Sequence, residues 1–203
     1  MPISPPETRG SLILRLQDAA DVAAWDEFTA IYAPVVYRSA RRMGLQAADS
    51  DDCVQEVLSA VSGSVTEWLQ RDDRGAFRSW LFRIARNTSI DYLTRRKHRP
   101  WAEGGDTAAK KLNELAAKSD ALSHLDVEYR REVFQRSSEI VREKVAESTW
   151  QAFYRTGVLQ QSVQDVAREL DMSPGSVYIA RSRVMKQLQQ VVKSFSETSR
   201  DEM

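Results

Sequence analysis

Apolar residues recur at steps of three and four along most of this 203-residue chain, and that spacing restricts it to an all-α fold. The segment from Ala19 to Met43 follows the pattern over its whole length. Glycine (8) and proline (6) are scarce, and the alternation typical of half-buried strands is absent. Two residues interrupt the pattern: Pro34 is expected to kink or break its helix, and Gly63 to end the next one, which Asp49 would cap.

Composition excludes several classes of protein. Cys53 is the only cysteine, so neither an intrachain disulfide nor a cysteine-based zinc site is possible. The two histidines, His98 and His124, have no partner at ligand spacing, and there is no nucleophile motif or glycine-rich phosphate loop. We therefore expect no cofactor, no metal and no enzymatic activity. No stretch approaches the ~18 apolar residues of a membrane helix, and the start resembles no signal peptide, so a cytoplasmic protein without membrane insertion is expected.

The charges are balanced in total but segregated along the chain. The 29 Lys and Arg residues equal the 29 Asp and Glu residues, which by itself argues against a nucleic-acid-binding protein. Residues 74–99, however, carry a net charge of +7, and residues 172–195 carry +4. Residues 1–73 carry −6 and residues 100–171 carry −3. The two basic blocks also contain aromatic residues, which predicts nucleic-acid contacts at both.

Residues 162–188, SVQDVARELDMSPGSVYIARSRVMKQL, have the pattern of a helix-turn-helix. Ser162 and Ser173 are suited to cap the two helices, and Pro174 occupies the first position of the second. In this motif the second helix enters the major groove by its N-terminal end. The alternative is an ordinary helical hairpin with a solvated basic face. Small and polar residues on the exposed face are the DNA-binding candidates: Gly175, Ser176, Tyr178, Arg181, Arg183 and Lys186.

The basic block 74–99 has two interpretations. Aromatic residues among cations are typical of single-strand binding, where bases stack on rings and cations follow the phosphates. Aromatic residues on one helical stripe more often form a core, and we assign Trp80 and Leu81 to it. The run of cations from Arg95 to Arg99 is harder to explain without a polyanion, since like charges repel one another.

Two segments resemble a known family. DSDDCVQEVLSAV (49–61) resembles the D-x-E-D-L-V-Q-E-x-F segment of bacterial extracytoplasmic-function (ECF) sigma factors, and FRSWLFRIARNTSIDYLTRRKHRP (77–100) resembles their F-x-x-W-L-x-x-I-A-x-N block. The helix-turn-helix also stands at the C-terminal end, as it does in that family. The resemblance covers about residues 10–195.

The resemblance implies two small helical domains joined by a flexible linker. The first would be a promoter-melting domain of the sigma2 type and the second a helix-turn-helix domain of the sigma4 type. The implied segments are a disordered tail at residues 1–10, the sigma2-type domain at 11–99 and the linker at 100–124. The sigma4-type domain follows at 125–195, and a C-terminal tail at 196–203.

The resemblance also implies partners. The family binds core RNA polymerase through the clamp helices of the largest catalytic subunit and through the flap, and it binds promoter DNA. Many members are held inactive by an anti-sigma factor. The residues that match the family's clamp-binding helix are Asp49, Asp51, Asp52, Gln55 and Glu56.

For the −10 element, Asn87 matches the family's asparagine, in a block that captures the non-template strand with one base flipped out. The cations beside it are phosphate candidates: Arg83, Arg86, Arg95, Arg96 and Arg99. The recognition-helix residues given above would contact the −35 element.

Three departures from the family pattern stand out. The recognition helix lacks the first of the usual arginines, Cys53 replaces a leucine, and Trp150, Phe153 and Tyr154 rebuild part of the second core. The alternative function is a helix-turn-helix regulator that binds duplex DNA without polymerase.

Overall fold

The computed structural model describes residues 8–97 and 120–195, which are helical with short turns and contain no strand. These residues divide into two compact units, the first extending to Glu132 and the second from Val133 to Ser196. The predicted all-α class is confirmed. No helix within the described ranges combines the length and the apolar character needed to cross a membrane.

Within the described residues, the first unit contains four helices and the beginning of a fifth. They are α1 (Gly10–Arg15), α2 (Val22–Arg42), α3 (Ala47–Gln70), α4 (Phe77–Lys97) and the first turns of α5 (Asp120–Lys144). Helix α3 packs against both α2 and α4.

The second unit contains the rest of α5 and a compact set of shorter elements. Helix α6 (Glu147–Phe153) continues into a π-helical turn (Tyr154–Val158), and α7 (Val163–Glu169) and α8 (Pro174–Ser194) follow. Helix α8 packs against α6 and α7.

The breaks expected in the first long helices do not occur. Helix α2 runs through Pro34, and α3 runs through Gly63. A glycine inside a helix costs about 1 kcal/mol relative to alanine, which is less than the gain from a continuous buried stripe of valines along α3. Asp49 lies in the first turn of α3 and is not its cap, because the helix begins at Ala47.

Aromatic rings fill one end of the first unit's core. Phe77 at the start of α4 lies edge-on to Phe28 of α2, with ring centroids 6.1 Å apart, and to Trp68 of α3 at 5.3 Å. Leu81, one turn after Phe77, is fully buried, as predicted. These contacts fix the start of α4 against the end of α3.

The first turns of α5 belong to the first unit. Tyr129 stacks on Tyr32 of α2 at 5.6 Å, and Arg38 donates to the carboxylates of Glu128 at 2.6 Å and Glu132 at 2.9 Å. The boundary between the two units therefore falls inside α5. Of the predicted linker 100–124, residues 100–119 lie outside the described residues, as do both predicted tails except residues 8–10.

The second unit has the predicted helix-turn-helix. Ser162 Oγ accepts from the backbone N–H of Asp165 at 3.1 Å, and Ser173 Oγ accepts from that of Ser176 at 3.1 Å, so both predicted caps are confirmed. Asp171 adopts a left-handed conformation (φ 51°) that ends α7. The buried side of α8 consists of Val177, Ala180, Val184 and Leu188, and Val191 is partly buried.

The cap of α8 gives a testable consequence. We expect Ser173→Ala to lower the free energy of unfolding of the second unit by about 1 kcal/mol, because the N–H of Ser176 loses its acceptor. Ser194→Ala, at the other end of the helix, is the matched control. Amide hydrogen exchange along α8 would measure both, and equal protection in the two variants would contradict the capping role.

Candidate nucleic-acid interface

A pocket of about 270 Å³ opens between the end of α3 and the start of α4. Two tryptophans line it, Trp68 and Trp80, with ring centroids 5.4 Å apart and an angle of 27° between their planes. The remaining lining residues come from the connecting loop and the first turns of α4: Arg71, Asp73, Arg74, Gly75, Ala76, Ser79 and Arg83.

Local contacts hold the loop in place. Trp68 Nε1 donates to the carbonyl of Arg74 at 3.1 Å, and the Arg74 guanidinium lies 5.5 Å from the centroid of the Trp68 ring. The same guanidinium donates to the carbonyl of Leu69. Gly75 has a φ of 65°, a conformation that glycine adopts without strain, and α4 starts two residues later. The pocket is therefore a formed feature of this fold.

The charge of the pocket is mainly positive. Arg71, Arg74 and Arg83 contribute three guanidinium groups, and only Asp73 opposes them. Arg71 donates to Asp73 at 3.2 Å, and this hydrogen bond, followed by the positive charge of Arg71, lowers the pKa of the Asp73 carboxyl. Aromatic faces among several cations form a suitable site for an unpaired nucleobase and its phosphates.

The predicted −10 residues lie at different distances from this pocket. Arg83 lines it, and Asn87 is exposed one turn further along α4, on the same side of the helix. Arg86 is half-buried, whereas Arg95 is exposed near the C-terminal end of α4. Arg96 belongs to the same helix, and Arg99 lies outside the described residues.

Most residues of the pocket were not among the predicted site residues. Trp80 was predicted to belong to the core, yet this half-buried residue lines the pocket. Trp68, Arg71 and Arg74 were not singled out. The available signal was the pair of arginines around a short polar turn, where the basic aromatic block begins.

The predicted polymerase-binding residues lie along the first three turns of α3. Asp51, Asp52, Gln55 and Glu56 are exposed, and Asp49 is half-buried. The structure also brings Glu56 to α4, where its carboxylate accepts from the Tyr92 hydroxyl at 3.0 Å and pairs with Arg95 at 3.3 Å.

Cys53, between these acidic residues, faces the core. Its thiol is fully buried and lies 3.4 Å from the Ser89 hydroxyl. Burial raises the pKa of the Cys53 thiol, which is therefore protonated at neutral pH. The structure agrees with the interpretation of Cys53 as a small buried residue in place of leucine.

The predicted −35 residues share the exposed side of α8. Gly175 and Ser176 are exposed in its first turn, and a Cβ on Gly175 would meet only Ser173 Oγ at 3.8 Å, so packing does not require glycine there. Tyr178 is 58% exposed, Arg181 is half-buried, and Arg183 and Lys186 are exposed. The first turn of α8 and the polar side chains that follow it are therefore accessible to solvent on the same side of the helix.

Tyr178 and Arg181 also border an apolar depression of about 490 Å³ in the second unit, whose other lining residues include Phe134, Val158 and Met185. Several of these side chains are exposed although apolar. Within the described ranges, no group of three His, Cys, Asp or Glu side chains could hold a metal ion.

Comparisons with known proteins bear on the first unit most directly. Residues 29–99 match the family model of Sigma-70 region 2, a range that contains both the acidic side of α3 and the tryptophan pocket. Over 79 residues the chain is 37% identical to the ECF RNA polymerase sigma factor SigE of Mycolicibacterium smegmatis, an alignment that covers 39% of this chain and 29% of that protein. The aligned segment thus spans less than a third of that relative. Among solved structures, that of CnrH in complex with the cytosolic domain of CnrY is similar over 91% of this chain and 96% of that chain, with 19% identity and a TM-score of 0.36.

Proposed function

We propose that the chain is an ECF RNA polymerase sigma factor, a transcription initiation factor that binds core RNA polymerase and directs it to specific promoters. The match of residues 29–99 to Sigma-70 region 2 and the 37% identity over 79 residues to an ECF sigma factor support this proposal. The observation that carries this proposal is the tryptophan pocket within the Sigma-70 region 2 match. In this role the chain recognises the −10 and −35 elements, assists DNA melting and has no catalytic activity of its own.

The pocket is suited to one unpaired base of the −10 element. A base taken out of the duplex loses its stacking, and an aromatic ring replaces part of that energy. Trp80 provides the ring, and Arg83 provides a charge for the adjoining phosphate. Asn87, one turn further on, has an amide that can donate to and accept from a neighbouring base edge. Arg86, Arg95, Arg96 and Arg99 would extend the phosphate contacts along the strand.

The acidic side of α3 is the proposed contact with the clamp helices of the polymerase. Its exposed carboxylates can pair with a basic surface, which favours fast and specific association more than great affinity. The side chains in this role are those of Asp49, Asp51, Asp52, Gln55 and Glu56.

Helix α8 is the proposed reader of the −35 element. Its capped N-terminus, its small first residues and its basic exposed side are the features with which such helices enter a major groove. The apolar depression beside it is a surface for a protein partner, either the flap of the polymerase or an anti-sigma factor.

A second candidate function rests on the complete helix-turn-helix of the second unit. A regulator of this class would bind duplex DNA tightly without polymerase, as a dimer with two half-sites. Under the sigma-factor proposal, the chain alone binds duplex weakly, since a protein with zero net charge gains little from counterion release.

The deciding experiment is reconstitution with core RNA polymerase. The purified chain should co-elute with the core enzyme. The complex should also produce run-off transcripts from promoters at which the core enzyme alone is inactive. A chain that binds duplex DNA tightly in a gel shift but never co-elutes with polymerase would favour the regulator instead.

The acidic contact can be tested by itself. We expect the double substitution Asp51→Asn and Asp52→Asn to weaken core-polymerase binding about 2- to 30-fold, because each lost surface ion pair is worth about 0.2–1 kcal/mol. Asp26→Asn, which removes an exposed carboxylate from α2, is the control. Equal affinities of the double variant and the wild type would show that the contact lies elsewhere.

A further inference from the structure

Glu56 connects the two surfaces to which separate roles are assigned above. It lies on α3 among the acidic residues, and its Oε1 atom is 3.0 Å from the Tyr92 hydroxyl and 3.3 Å from an Arg95 guanidinium nitrogen. The Arg95 guanidinium also lies 5.7 Å from the centroid of the Tyr92 ring. The three side chains therefore form one cluster between α3 and α4.

Tyr92 is protonated at neutral pH. Desolvation, the hydrogen bond to Glu56 and the negative charges of Glu56 and Asp52 raise the pKa of Tyr92 to about 12. The Tyr92 hydroxyl therefore keeps its proton and donates a hydrogen bond to the Glu56 carboxylate throughout the physiological pH range. Asp52 lies one turn before Glu56 on the same helix, so two carboxylates face this end of α4.

A carboxylate in this position competes with a phosphate. Arg95 offers the charge, and Tyr92 the ring and hydroxyl, that a single strand running past the pocket would use. While Glu56 holds both, a strand must displace it first. The side chains of Arg95 and Glu56 are 66% and 44% exposed, so they can exchange partners by rotamer changes alone.

We propose that Glu56 masks Arg95 and Tyr92 in the free chain, and that polymerase removes the mask. The inference rests on the proposed function, because it requires a basic polymerase surface against α3. That surface competes for the Glu56 carboxylate, and α4 then presents Arg95 and Tyr92 to the DNA strand. By linkage, DNA bound at α4 frees Glu56 and strengthens polymerase binding by the same factor.

The size of the effect follows from the exposure of the pair. An exposed ion pair is worth about 0.2–1 kcal/mol, so removal of the mask should raise strand affinity about 1.4- to 5-fold. Such a factor is small for a switch but measurable. It multiplies any other increase in DNA affinity that the polymerase complex provides.

The test uses the full chain and a fluorescent oligothymidylate of about 12 nucleotides, a length within the usual site sizes for single strands. Anisotropy at low salt should show that Glu56→Gln binds about 1.4- to 5-fold tighter than the wild type. Arg95→Gln should abolish this gain, so that the double variant binds like Arg95→Gln alone. Asp26→Asn removes the same charge elsewhere and should give no comparable gain.

Three results obtained with the free chain would overturn the proposal. The affinity of Glu56→Gln could fail to exceed that of the wild type, its gain could equal that of Asp26→Asn, or the gain could persist without Arg95. In the complex with core polymerase the mask is already open, so Glu56→Gln should give no gain there, and an undiminished gain would contradict the release step. If the wild-type chain fails to bind core polymerase, the proposed function fails, whereas the comparison in the free chain still tests the mask.

Discussion

Replacing Arg38 with methionine should lower the free energy of unfolding of the first unit by about 3–5 kcal/mol. Arg38 is the partner of two carboxylates, those of Glu128 at 2.6 Å and Glu132 at 2.9 Å. Both glutamates are buried, with 8% and 7% of their surfaces exposed. Methionine keeps much of the packing of the arginine stem but removes the cation that contacts both carboxylates, and breaking a buried ion pair by removing one partner is strongly destabilising.

Arg130→Met is the matched control. Arg130 pairs with Asp126 at 3.8 Å, and both residues lie on α5, the helix that carries Glu128 and Glu132. We expect it to change the stability by about 0.5 kcal/mol or less. Urea unfolding combined with amide exchange in α2 would separate the first unit from the second. Adding Glu128→Gln and Glu132→Gln to Arg38→Met should recover part of the loss, and a loss below about 1 kcal/mol for Arg38→Met would contradict the buried ion-pair assignment.

Replacing Trp80 with leucine should weaken the binding of −10 single strands about 5- to 150-fold, because base stacking on one aromatic side chain is worth about 1–3 kcal/mol. Leucine keeps part of the apolar contact with Trp68 and Phe77, whose ring centroids lie 5.4 and 5.5 Å from that of Trp80, but it has no face on which a base can stack. Run-off transcription from a linear promoter should fall in parallel, whereas a template with a pre-melted −10 region should recover only part of the activity.

The control for Trp80→Leu is Trp25→Leu. Trp25 is also half-buried and lies edge-on to Phe28 at 5.7 Å, but it does not line the pocket. Core-polymerase binding should be unchanged in both variants. If both weaken strand binding equally, or if Trp80→Leu binds like the wild type, Trp80 has only the structural role that its helical stripe predicts.

The helix-turn-helix could be predicted from sequence because its signals are local. Ser162, Ser173 and Pro174 determine where α7 and α8 begin, and the buried stripe of α8 follows from a spacing of three and four. Helix interruptions were predicted less well, because the local preferences of Pro34 and Gly63 are weaker than the packing of the long helices that contain them.

The tryptophan pocket could not be predicted in the same way. Trp68 lies in the last turn of α3 and Trp80 in the first turn of α4, and the loop between the two helices positions Arg71 and Arg74. A helical pattern shows that Trp80 lies on the apolar side of its helix. It does not show that the neighbouring helix ends there, so that one edge of this side remains open.

By itself, the amino-acid sequence determined the all-α class, the caps and buried side of the helix-turn-helix, and the segregation of charge into two basic blocks, since each depends on residues close together in the chain. Only the tertiary structure decided which distant residues meet. Arg38 is separated from Glu128 by 90 positions and Glu56 from Arg95 by 39. Periodicity identifies the side of a helix that will be buried or exposed, but the partner that covers it is selected by the packing of the whole unit.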